Sequence, residues 1–413
     1  MADTTVTIAA SGADYTTIAS ALAASDVSSG AWIMQITDTR NYGALAADDS
    51  LTFAATTGTP TQANRLILEA DADSRHSGVL EADTSSNHAK LMSTQGTINS
   101  YVFDDSYTEI RYMHFGSATG HSICTFNTVG GNPATDVLFS RCLFYIEGAG
   151  AADHVFEYNA DTGPNTFSLY VDNCVAVDTG QFFSYVGGTS NIVNLYVDHC
   201  AVETTSTAAE ALADIDFVGF NDQAVNIYAN NNWFECTGGS AGYVKAQDTG
   251  SNCSVTVSGA YNVGDQSTFV GAGVTDNTTN YEYASGGLTD VTADSDAIIV
   301  TSFSISQKEI ANMTPQVATG SGSNQILGYA GNRIGSEPDS RQDFSTDIVG
   351  NSRTTKTGFI DVGSFQITTS PGFKYYNGTT WVDSVSVQYY NGTTWADVVA
   401  VKYWNGTTWA DPV

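Results

Sequence analysis

Leu169-Tyr-Val-Asp-Asn-Cys174 returns 26 residues later as Leu195-Tyr-Val-Asp-His-Cys200. Four further segments lie over this pair: Ile110 to Phe115, Val137 to Cys142, Ile227 to Asn232 and Val255 to Ala260. Each reads apolar, variable, apolar or small, then two mostly polar residues, then a small or apolar one. Alternation of period two sends Leu169 and Val171 to one face and Tyr170 to the other. The steps between the six segments are 27, 32, 26, 32 and 28 residues. Short alternating strands at such a period predict a parallel β-solenoid, each coil one turn of chain, with equivalent positions stacked about 4.8 Å apart. A second strand recurs later in each coil, at His154 to Tyr158, Phe182 to Val186, Asp216 to Phe220 and Gly242 to Ala246.

Stacking the segments sorts residues into columns. Phe115, Cys142, Cys174, Cys200, Asn232 and Ala260 make one inward column. Ser140/Arg141, Asp172/Asn173, Asp198/His199, Asn230/Asn231 and Ser258/Gly259 make a polar bend, where asparagine tolerates left-handed backbone. Three of the six cysteines fall in the inward column, and no CxxC spacing occurs, so buried free thiols are expected and zinc is not.

Composition agrees with an all-β chain. The 413 residues carry 44 acidic and 14 basic side chains, a net charge of −30, but only 14% of residues are charged and 42% are hydrophobic. A core is affordable, and the polarity comes mainly from Gly, Ser, Thr and Asn, which suit strands and turns. The charge excludes nucleic acid as main partner, because no Lys/Arg cluster exists to displace counterions. No segment is long and apolar enough for membrane insertion, and Met1 to Ala10 lacks a secretory layout, so synthesis in the cytoplasm is expected.

The solenoid's open ends need caps. Tyr15, Ile18 and Leu22 among alanines predict a short amphipathic helix at the N-terminal end, with Thr16 or Thr17 near its N-cap, followed by strands at Trp32 to Ile36 and Arg65 to Ala70. The stretch Gly12-Ala-Asp-Tyr-Thr-Thr-Ile18 resembles the first coil of right-handed parallel β-helix proteins of pectate-lyase type. At the other end, Asp347-Ile-Val-Gly-Asn-Ser-Arg353 followed by Gly358-Phe-Ile-Asp-Val-Gly-Ser-Phe365 is similar to the closing segment of bacterial surface and phage β-helix proteins, with Gln366 where a Glu is usual. This resemblance covers about residues 5 to 366. It implies the architecture and leaves lyases, hydrolases, adhesins and virion spikes open.

Beyond Pro371 the composition changes to three copies of a 14-residue unit, Lys374-Tyr-Tyr-Asn-Gly-Thr-Thr-Trp381, Gln388-Tyr-Tyr-Asn-Gly-Thr-Thr-Trp395 and Lys402-Tyr-Trp-Asn-Gly-Thr-Thr-Trp409. Asn-Gly between aromatic and β-branched residues predicts hairpins with two-residue type I′ turns. Hairpins this short cannot bury their aromatics alone, which points to three chains intertwining; similar repeats occur near the ends of phage virion proteins. The rival reading is carbohydrate binding through Trp381, Trp395, Trp404 and Trp409. The expected division is 1–30 for the first strand and cap, 31–366 for the β-helix with its closing segment, and 367–413 for the hairpin repeats.

Candidate chemistry is sparse. Tyr170, Tyr196 and Tyr228 occupy one outward position on three coils, an aromatic ladder for sugar binding or for packing between coils or subunits. Asp172 and Asp198, one coil apart, bring two carboxylates to about 5 Å, the separation of retaining glycosidases, or else bond backbone donors at the bend. Arg111, Arg141 and Lys245 are nearly the only bases in the central coils, so the lysine or arginine base of a β-eliminating lyase is not expected. His76, His88, His114, His121, His154 and His199 form no HExxH or closely paired set, so bend or surface roles are expected. The acidic runs Glu69 to Asp73 and Asp290 to Asp296 read as solvated loops. These features together point to a non-enzymatic homotrimer on a phage virion exterior, a tailspike, tail fibre or capsid decoration protein. Its partners would be other virion proteins of capsid or tail and host surface polysaccharide, with no cofactor or metal. The alternative is a tailspike polysaccharide hydrolase or glycan-binding host adhesin.

Overall fold

The computed structural model describes residues 2–76, the strand and bend segments between 87 and 283, and beyond these residue 348 and eight short strands. Residues 1–367 form one compact unit and 368–413 another. Three parallel sheets of ten, eight and seven strands wind around one core in the first unit, a right-handed parallel β-helix. Each central coil takes one strand from each sheet: Thr166–Asp172, Val175–Thr179 and Gln181–Val186, then Ile192–Asp198, Ala201–Thr204 and Ala213–Asp216.

Residue alternation explains the first sheet. In Thr166–Asp172, Ile192–Asp198, Ala224–Asn230 and Ser254–Ala260 every second residue is apolar and buried. The inward rows Phe167/Val193/Val225 and Leu169/Leu195/Ile227 meet in register across coils. Phe139, Phe144, Phe156 and Phe182 then fill the middle of the core with centroid separations of 4.9 to 5.8 Å.

The chain turns from the first sheet into the second through a left-handed residue. Tyr112, Arg141, Asn173, His199 and Asn231 have φ of 58°, 54°, 52°, 53° and 57°. Their amides donate to the coil above, Asn173 N to the Asp198 carbonyl at 3.0 Å and His199 N to that of Asn230 at 3.1 Å. Gly259 is needed nearby: at φ +139° its missing Cβ would lie 1.8 Å from the Ala229 carbonyl oxygen.

Past the bend runs the inward column, with two members corrected. It is Met113, Cys142, Cys174, Cys200, Asn232 and Asn262; Phe115 lies two residues on, in the second sheet, and Ala260 lies within a first-sheet strand. Likewise Ser258/Gly259 precede the bend position. Ile110 pairs with Phe139 and Ile227 with Val257, where matching the apolar pattern had aligned Ile110 with Val137 and Ile227 with Val255. A slip of two keeps every side chain on its face, so alternation alone does not detect it.

Cysteine and asparagine do the same work in this column. The thiols of Cys142, Cys174 and Cys200 donate to the carbonyls of Ile110, Phe139 and Val171 at 3.7, 3.7 and 3.5 Å. Asn232 and Asn262 donate side-chain N–H to Val197 and Ala229 carbonyls at 2.8 Å each. The described cysteines are free thiols.

The N-terminal cap is a helix over Ile18–Ala23 with Thr17 as N-cap, its hydroxyl accepting from Ser20 N at 3.1 Å. Asp48 takes the next free amides, Ile18 N at 3.0 Å and Ala19 N at 2.8 Å, a carboxylate at the positive helix end. Ile18, Ala21 and Leu22 join the core. The strands Trp32–Ile36 and Leu66–Ala70 follow.

In the second unit the three repeats are antiparallel hairpins, with Tyr376 opposite Trp381, Tyr390 opposite Trp395 and Trp404 opposite Trp409. The residues that join the strands, where two-residue turns are expected, lie outside the described residues. The closing-segment residues Asp347 and Arg353 and the Asp290 to Asp296 run lie outside the described residues, while the strand Phe359–Asp361 pairs with Leu327–Tyr329.

Candidate functional site

The outer face of the first sheet carries three rows where four strands run in register. One is Ser168, Asn194, Asn226 and Thr256; the next is Tyr170, Tyr196 and Tyr228; the third is Asp172, Asp198 and Asn230. Asn226 donates its side-chain N–H to Asn194 Oδ1 at 3.0 Å. The tyrosines are half-buried and stack nearly parallel, Tyr170 on Tyr196 at 4.6 Å and Tyr196 on Tyr228 at 4.8 Å, with interplanar angles of 6° and 9°. Inner ring faces thus cover one another. What the ladder presents outward is ring edges, a file of phenol groups and the outermost faces at its two ends.

Asp172 and Asp198 stand on adjacent coils, about 4.8 Å apart along the solenoid. Both are fully buried. Asp172 Oδ2 accepts from Ser140 Oγ at 2.9 Å and from Asn173 Nδ2 at 3.2 Å, and Arg141 Nη1 donates to Ser140 Oγ at 3.2 Å. The carboxylate is tied into the bend beside the tyrosine row. Trp381, Trp395, Trp404 and Trp409 lie in the hairpin strands, and their side chains are outside the described residues.

A second cluster was not legible in the sequence. His88 Nε2 lies 2.8 Å from His114 Nδ1, the His76 and His88 rings meet edge to face at 6.1 Å, and His76 Nε2 is 2.7 Å from the Arg141 carbonyl oxygen. Lys90 pairs with His114 in register, and all four side chains are buried. The Arg75 guanidinium covers the Tyr112 ring at 3.7 Å, with Arg141 at 5.5 Å from it. This corrects the expectation of unclustered histidines: three of the six meet. Burial drives the His76 pKa down to about 3, helped by His88 and Arg75. Burial also holds His114 well below its usual value, with His88, His76 and Lys90 adding repulsion. His76 and His114 are therefore held as neutral imidazoles, and His114 Nε2 is buried without a hydrogen-bond partner. Among the described residues no three of His, Cys, Asp and Glu are placed to hold a metal ion, and no helix is long and apolar enough to cross a membrane.

No family model matches the chain, and no curated protein does. Among solved structures it is similar to that of a mannuronic acid specific polysaccharide family 6 lyase enzyme from human gut microbiota, at 9% identity and a TM-score of 0.25, over 68% of this chain and 83% of that one. Such a likeness concerns the fold and assigns this chain no activity. The expectation of a non-enzymatic protein is nonetheless withdrawn, because a fold shared with an enzyme gives no ground for it. The basic side chains whose scarcity suggested inertness also gather, with Arg75, Lys90 and Arg141 beside three histidines.

Proposed function

We propose that the chain is an exterior protein of a phage particle that holds an extended host polysaccharide along the outer face of its first sheet. The carrying observation is the pair of in-register, half-buried rows Ser168/Asn194/Asn226/Thr256 and Tyr170/Tyr196/Tyr228. A polymer of repeating hydroxyls matches a surface that repeats the same donors and acceptors at each coil. Amide and phenol groups suit sugar hydroxyls, and the open ring faces at the two ends of the ladder suit sugar C–H groups. The adjoining carboxylates and the net charge of −30 favour a neutral glycan over an acidic one. Support for the particle exterior comes from the likeness of the closing segment and the aromatic-Asn-Gly-x-x-Trp repeats to phage proteins. Three chains joined through those repeats are part of the same reading.

Binding is tested by affinity electrophoresis in gels containing host polysaccharide. Tyr196→Ala, which opens the middle of the ladder, is expected to weaken retardation at least tenfold. Retardation unchanged by Tyr196→Ala and by Asn194→Ala would remove the face from the role. Light scattering on the full chain tests assembly, with three times the 43.6 kDa chain mass expected and a monomer contradicting it. A second reading is cleavage of the held chain, which would need Asp172 and Asp198, buried on adjacent coils, to reach it. New reducing ends that vanish in both Asp172→Asn and Asp198→Asn support it, and their absence in the parent protein refutes it.

A further inference from the structure

Ser122 lies two residues before the third-sheet strand Cys124–Asn127, and two titratable side chains from the next coil converge on its hydroxyl. Ser122 Oγ lies 3.3 Å from His154 Nδ1 and donates a hydrogen bond to Glu157 Oε2. The pairings Phe156↔Cys124 and Glu157↔Thr125 fix this meeting, placing strand His154–Asn159 directly beside the serine's strand. Ser122 is 3% exposed, whereas His154 and Glu157 are both half-buried. The hydroxyl is thus buried beside two side chains that reach solvent.

Burial lowers the His154 pKa and outweighs the opposing pull of Glu157 and Asp153, so the ring is neutral near pH 7. In the tautomer protonated at Nδ1, the ring donates to Oγ and directs the hydroxyl's own hydrogen to Glu157. A hydroxyl bonded to a carboxylate and steadied by an imidazole is an activated nucleophile in form. A purely structural serine needs one acceptor, and the glycan face uses none of these three residues.

We propose that Ser122 is the nucleophile of a second site that removes O-acyl groups from sugars. Ser122 Oγ bonds to the ester carbonyl carbon as Glu157 takes its proton. The bond from that carbon to the sugar oxygen then breaks, and Glu157 returns the proton to the departing alkoxide, which leaves as a free sugar hydroxyl. Water then attacks the acyl-serine, gives its proton to Glu157 and releases the carboxylic acid, and that proton passes back to Ser122. No oxidant or further reactant is consumed. His154 is a positioning residue. The choice of a sugar ester rests on the glycan reading above, but the identity of the nucleophile does not.

The test treats the full chain with a fluorophosphonate probe and, separately, p-nitrophenyl acetate. Peptide mass mapping is expected to find the adduct on Ser122. Ester turnover should fall about a hundredfold or more in Ser122→Ala and in Glu157→Gln, the scale of a lost general base. His154→Ala is expected to lower turnover and change its pH profile, and His154→Gln, which keeps an N–H donor, to restore most of it. Melting temperatures within a few degrees of the parent confirm that each variant is folded. No adduct in the parent, or turnover that survives Ser122→Ala, overturns the nucleophile. Acetate released from an O-acetylated polysaccharide supports the sugar ester, and an adduct without such release overturns that class. Polysaccharide retardation is measured on the same sample: binding without labelling refutes this site alone, and labelling without binding refutes the glycan face alone.

Discussion

Asn232 offers the sharpest test of what holds neighbouring coils together at the bend. Its side-chain N–H groups reach the Val197 carbonyl at 2.8 Å and Asn262 Oδ1 at 3.0 Å, and its Oδ1 accepts from Cys200 N at 2.8 Å. The side chain is fully buried, so no water replaces these contacts without a rearrangement of the core. Asn232→Ala takes a partner from two buried backbone groups, Cys200 N–H and Val197 C=O. At about 1–3 kcal/mol for each buried group left unsatisfied, the cost is roughly 2–6 kcal/mol. Asn232→Cys should behave differently, because the same column already uses cysteine in that role. Cys174 Sγ accepts from Cys142 N at 3.3 Å and donates to the Phe139 carbonyl at 3.7 Å. A thiol at 232 keeps both connections in weaker form, so its cost should be about 1 kcal/mol. Urea unfolding followed by circular dichroism reads both values as midpoint shifts at constant slope. Equal losses for the two variants would show that the column acts by shape alone, and an Asn232→Ala loss below about 1 kcal/mol would show that its hydrogen bonds are expendable.

Two further outcomes follow from buried titratable groups. His76 and His114 have folded-state pKa values below the unfolded one, near 3 for His76, so the unfolded chain binds more protons. Stability from the neutral rings is fully present above about pH 6.5 and is lost as pH falls from there toward the folded value, by up to about 1.4 kcal/mol per pH unit per histidine. Urea midpoints between pH 7 and 4 should fall accordingly and flatten in His114→Gln; a midpoint independent of pH in the parent contradicts the buried neutral cluster. Burial pushes the Cys174 and Cys200 thiols well above their usual range, while Cys253 is half-buried. A thiol reagent at pH 8 is expected to modify Cys253 quickly and the two column cysteines only after unfolding, and fast labelling of Cys174 in the native protein would refute their inward placement.

The pairing Leu169-Tyr-Val-Asp to Leu195-Tyr-Val-Asp was enough to find the solenoid, because near-identical residues stack on themselves at each coil. It also exposed the tyrosine row and the adjacent aspartates. The neighbouring Asn194/Asn226 ladder carries a weaker signal, since asparagine in a strand reads as loop composition. Register resisted for a definite reason: period two is blind to a two-residue slip, and only the residue past the bend resolves it. Asn262, with its amide on the Ala229 carbonyl, identifies the position that Ala260 cannot fill. The acid–base clusters were hidden differently. His76 meets Arg141 across 65 residues and Ser122 meets Glu157 across 35. Repetition reveals surfaces whose chemistry is the same at every coil. Where one coil gathers chemistry the others lack, as at His114 or Ser122, no neighbouring coil supplies a template. Only the three-dimensional register brings such residues together, so in a solenoid the residues best suited to a reaction are those a repeat-based reading is least able to find.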